Sequence, residues 1–90
     1  MKIVINGCFG GFSLSEAAAK ACGANSAYDE DQRTNPILIE MVERDAEAAS
    51  GRCAALRVVE IPDNATDWEL DEYDGSESII YVADGKIHHI

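Results

Sequence analysis

The sequence predicts an α+β domain: a small mixed sheet of about five strands, two helices packed on one face, and a C-terminal antiparallel meander. Three observations carry this. β-branched apolar runs at Lys2–Asn6 and Leu56–Ile61 read as strands. The segment between them has helical spacing and helix caps. After Pro62 a period of two returns, interrupted by Asp74-Gly75 and Asp84-Gly85 turns. Helices followed by consecutive strands suit α+β better than alternating α/β. With 90 residues, of which 47% are hydrophobic, the chain is read as one domain, 1–90, too short to divide its apolar residues between two cores.

Taken in order, Lys2-Ile3-Val4-Ile5-Asn6 reads as a strand buried on both faces. Gly7 to Phe12 is a Gly-rich loop. Ser13-Leu14-Ser15-Glu16 fits a capping box, which predicts a helix from about Leu14 to Cys22, stopped by Gly23. Asn25 to Thr34 is a polar loop. Asn35 caps a second helix, with Pro36 in its first turn and Gly51 at its end. Leu38, Met41, Val42, Ala48 and Ala49 form its apolar stripe. A helical crossover between two apolar strands predicts that Lys2–Asn6 and Leu56–Ile61 run parallel. Asp67–Tyr73, Ser78–Ala83 and Lys86–Ile90 complete the meander.

Seventeen carboxylates against seven Lys and Arg give a net charge of −10. That disfavours binding to DNA, RNA or an anionic membrane, and permits a basic protein partner. Cys8, Cys22 and Cys53 are an odd number without C-x-x-C spacing, so neither a disulfide framework nor a metal site is predicted. With no apolar run of about 20 residues and no leader-like start, the expected compartment is a reducing cytoplasm.

Catalytic and cofactor signals are weak. The Gly-rich loop before a helix has neither G-x-G-x-x-G spacing nor a Walker lysine, and tight turns explain its glycines. Cys8 lies near a helix start but has no sequence-adjacent histidine, and Leu14 stands where a phosphatase-like site would place arginine. A small buried thiol is the better description. His88 and His89 point to opposite faces of a regular strand and do not converge on one metal ion. No enzyme activity, cofactor or metal is expected.

The informative stretch is Val58–Gly85, which has no Lys or Arg but holds nine of the seventeen carboxylates. Alternation puts Asp67, Glu69, Asp71 and Tyr73 on one face, and Trp68, Leu70 and Glu72 on the other. Same-face residues on a strand repeat every ~6.6–6.8 Å, close to the spacing of phosphates along a nucleic-acid strand. These three acids could imitate a short phosphate row, extended by Asp74, Glu77 or the Asp29-Glu30-Asp31 loop, with Tyr73 as an anchor. The alternative is a solvated acidic face with no partner.

Lys2-Ile3-Val4-Ile5-Asn6 with Cys8-Phe9-Gly10-Gly11-Phe12-Ser13-Leu14-Ser15, then Val58-Val59-Glu60-Ile61-Pro62-Asp63, Trp68-Glu69-Leu70 and Glu72-Tyr73-Asp74-Gly75, resembles a family of small proteins of phages and prophages. The likeness covers most of the chain; the loop from Asn25 to Gln32 and the tail from Tyr81 depart from it. The resemblance implies phage origin and action in the host-cell cytoplasm. Small acidic phage proteins include inhibitors of host defence, anti-CRISPR proteins among them. The expected function is therefore an inhibitor that docks an acidic face on the basic nucleic-acid groove of a host defence complex, as a monomer or small homo-oligomer. The alternative is a phage structural or regulatory protein-binding module.

Overall fold

The computed structural model describes all residues, 1–90. The elements are β1 (Lys2–Asn6), α1 (Glu16–Cys22), a 3-10 turn (Glu30–Thr34), α2 (Pro36–Arg44), α3 (Ala46–Ala49), β2 (Leu56–Glu60), β3 (Asp67–Tyr73), β4 (Ser76–Ala83) and β5 (Lys86–His89). The α+β class holds. Its strands form two antiparallel sheets, β1-β2 and β3-β4-β5, in place of the single mixed sheet expected.

β1 and β2 run antiparallel, with Lys2 opposite Glu60 and Asn6 opposite Leu56. This corrects the parallel expectation. A parallel pair needs the connection to return the chain to the end where β1 began. Here more than one helical leg intervenes, and the chain re-enters where β1 finishes, the Gly7 N–H donating to the Ala55 carbonyl at 2.8 Å.

Each face of this two-stranded ribbon has its own core. Val4 and Leu56 pack with Phe12, Leu14, Ala18, Leu38, Val42 and Ala49 on the helical side. Ile3, Ile5, Val59 and Ile61 pack with Ile79, and Trp68, Leu70 and Tyr81 lie against them. The ribbon is thus the middle layer between helices and the three-stranded sheet. That is why Ile3, Val4 and Ile5 are fully buried, as their unbroken apolar run predicts.

Helix boundaries follow the caps, with two changes. The Ser15 side chain, not that of Ser13, caps α1, accepting from the Ala18 N–H. Ser13 and Leu14 are held elsewhere: the Ser13 carbonyl accepts from Gly51 N–H, and Leu14 bridges Ser50. Asn35 caps α2 as expected, but Asp45 ends it and caps the short α3. The break turns Ala48 outward and keeps Ala49 in the core. Both hairpin turns place Asp and Gly at positive φ, Asp74-Gly75 at 50° and 88° and Asp84-Gly85 at 55° and 73°, the geometry that matches strand twist.

Candidate functional site: the outer face of the hairpin sheet

The alternation along β3 decides where its charges go. Trp68 and Leu70 turn inward onto the Ile3–Ile5 cluster, so Asp67, Glu69, Asp71 and Tyr73 stand outward and exposed. Register then fixes their neighbours. Asp67 lies opposite Val82, Glu69 opposite Ile80, Asp71 opposite Ser78 and Tyr73 opposite Ser76. Across β4, Val82 faces Ile87 and Ile80 faces His89. The outer face therefore has an acidic edge on β3 and an apolar centre at one end, Ile80 and Val82. Hydroxyls, Ser76 and Ser78, occupy the other end.

Asp67 and Glu69 have no basic partner. Asp71 has only His89, whose Nε2 lies 3.9 Å from its carboxylate and 2.7 Å from Ser78 Oγ. Between the acidic edge and Ile87 is a shallow depression of about 190 Å³, lined by Asp67, Trp68, Glu69, Ile80, Val82 and Ile87. Drug-sized ligands need about 300 Å³ or more, so this space suits protruding side chains. The larger hollow of about 500 Å³, between β2 and the α2–α3 junction, mixes charges of both signs and contains the Lys2–Glu43 pair at 2.8 Å.

Asp74 continues the exposed row into the β3–β4 turn. Glu77 does not: it faces inward and is only 5% exposed. Its carboxylate accepts from both terminal nitrogens of Arg33, at 2.8 and 2.7 Å, and from the Asn6 N–H at 2.7 Å. Arg33 also donates to the Val4 carbonyl at 3.1 Å and to Glu30 at 2.7 Å, and its guanidinium lies 4.0 Å from the Phe12 ring centroid. Burial alone would lower the Arg33 pKa, but the bonds to Glu77 and Glu30 outweigh it and raise it above its ordinary value.

The Asp29-Glu30-Asp31 loop is likewise mostly engaged within the fold. Asp29 caps the 3-10 turn, accepting from the N–H groups of Asn25 and Asp31 and from Gln32 Nε2. The Asn25 backbone bond, with those of Gln32 and Asp31, holds its carboxyl below the usual aspartate range. Glu30 is paired with Arg33, and only Asp31 is exposed without a partner. The loop thus joins Glu77 through Arg33. No contact joins it to the β3 row.

No family model, curated protein or solved structure matches the chain. The remaining chemistry is read from geometry. Cys8 Sγ is near Asn6 Oδ1 (3.4 Å), the Cys53 carbonyl (3.1 Å) and the Gly10 N–H (3.4 Å), with no base beside it. His88 stacks on Tyr81 with ring centroids 4.9 Å apart. No three His, Cys, Asp or Glu side chains converge to hold a metal ion. No helix is long and apolar enough to cross a membrane.

Sequence reasoning missed Ile80, Val82, Ile87 and His89 as parts of the outer face, and Phe9, which is 72% exposed. The Asp74-Gly75 and Asp84-Gly85 turns held the signal for the first four, because together they fix the β3–β4 and β4–β5 registers. Phe9 enters through the fold. The β3–β4 turn docks on the Gly-rich loop, where a Cβ on Gly75 would lie 2.7 Å from the Phe9 carbonyl. Phe9 and Tyr73 therefore sit at one end of the molecule.

Proposed function

We propose that the protein is a phage-encoded acidic inhibitor of a host defence nucleoprotein complex, anti-CRISPR-like in action, that docks on a basic nucleic-acid groove. One observation carries the reading: Asp67, Glu69 and Asp71 form an outward row in which no Lys or Arg neutralises any carboxylate. Uncompensated charge held on a strand at ~6.6–6.8 Å intervals imposes little ordering cost on binding and raises the on-rate toward cationic surfaces. Asp74 and the Tyr73 ring extend the contact; Glu77, Asp29 and Glu30 serve the fold. The resemblance to phage proteins supplies the setting. It also implies action in the host-cell cytoplasm during infection.

The test is retention of partners from host lysate at low and high salt, followed by inhibition of the captured complex. Glu69→Lys/Asp71→Lys is expected to lose both while melting where the wild type does. Full inhibition by that variant would sink the proposal. A second reading, a structural or regulatory protein-binding module without nucleic-acid mimicry, draws on exposed Phe9 and Tyr73, 72% and 75% accessible. Retention that ignores salt but fails in Phe9→Ser/Tyr73→Ser would favour it.

A further inference from the structure

The same outer face carries an apolar strip that phosphate imitation does not require. Ile80 and Val82 lie along the central strand, and Ile87 on β5 is 77% exposed opposite Val82. Asp67 and Glu69 border the depression on one side and Ile87 on the other. A surface meant only for a cationic groove gains nothing from an isoleucine held in water, since burying it is favourable only when a partner covers it.

We infer that this face binds a cationic amphipathic segment of a protein partner, one that lays apolar side chains over Ile80, Val82 and Ile87 and Lys or Arg beside Asp67, Glu69 and Asp71. The inference rests on the reading of the acidic row as a docking surface and specifies what the partner must present. Charge complementarity selects the occupant. A second copy would bring its own Asp67 and Glu69 against those of the first, and nucleic acid or anionic lipid would meet the same repulsion. Lateral spacing agrees, because adjacent strands lie about 4.8 Å apart. An extended segment of alternating apolar and basic residues can therefore lie edge-on along this face, its apolar side chains turned toward β4 and β5 and its basic ones toward the acids of β3.

The experiment uses two short labelled peptides of equal charge, one alternating lysine with valine and one alternating lysine with serine. Binding to the full chain is followed by fluorescence anisotropy at low and high salt. The lysine–valine peptide is expected to bind roughly tenfold tighter, the equivalent of one covered apolar side chain. That advantage should vanish in Ile87→Ser while the salt dependence stays. Ile87 is too exposed for this change to unfold the protein, and an unaltered melting temperature checks it. Equal binding of the two peptides, or an advantage that survives Ile87→Ser, overturns the inference and leaves the acidic row standing. Binding of both peptides that ignores salt and Glu69→Lys/Asp71→Lys overturns the acidic docking surface as well.

Discussion

Glu69 and Glu77 belong to one hairpin and face opposite ways, and their fates differ accordingly. Glu69 is exposed, without a cation, opposite Ile80. Glu77 is sealed between the layers, and its two oxygens take three hydrogen bonds. The Glu77 network also finishes a sheet edge. Met1–Ile61 and Gly7–Ala55 bond across the ribbon, so Val4 and Asn6 direct their backbone groups away from β2. Arg33 meets the Val4 carbonyl and Glu77 meets the Asn6 N–H, in place of a neighbouring strand. The difference teaches that carboxylate count says little about a surface. Burial and partner decide whether a charge holds the fold or is free for another molecule.

The comparison breaks most sharply at Arg33. Arg33→Met leaves Glu77 buried and unpaired and the Val4 carbonyl without its donor, so a loss of about 3–5 kcal/mol is expected in urea unfolding. Glu77→Gln keeps an acceptor for Asn6 and should cost less. Equal stability of Arg33→Met and wild type would falsify the structural role of the pair.

Gly75→Ala should come next. Gly75 adopts φ 88°, and an added Cβ would lie 2.6 Å from the Gly11 nitrogen. The left-handed backbone alone costs about 1–2 kcal/mol, and the close approach adds to it. Because this turn also accepts from Asn6 Nδ2 at 2.7 Å, the change should loosen the hairpin against the Gly-rich loop. Faster amide exchange in β3 is the direct readout.

On the outer face, Glu69→Lys/Asp71→Lys should change stability by no more than about 0.5 kcal/mol, in contrast to Arg33→Met. A large loss of stability from these exposed changes would erase the distinction between the two groups of acids. Asp29 gives the smallest expected effect, visible only against pH. Its carboxyl is held below the ordinary value, so its contribution is complete above about pH 4 and fades as pH falls through the lowered folded value. The stability gap between wild type and Asp29→Ala should therefore be constant near neutrality and narrow in acid, as acid unfolding curves would show.

Much of this protein was legible in local chemistry. Pro36 after Asn35, Gly23 after Cys22, the two Asp-Gly turns and the alternation of Asp67–Tyr73 each act within a few residues, and each behaves as its local rule requires. The exposed row of Asp67, Glu69, Asp71 and Tyr73 follows from that alternation, because Trp68 and Leu70 have a core to enter. What local rules could not supply is the meeting of distant parts. Ser13 looked like a helix cap until Gly51 took its carbonyl, and β1 and β2 looked parallel until the chain between them made more than one leg. Glu77 looked like a surface acid until Arg33, far off in sequence, arrived beside it. Hydrogen-bond rules over three or four residues are written in the residues themselves. Pairings across several dozen residues depend on how the layers stack, and only the tertiary structure decides them.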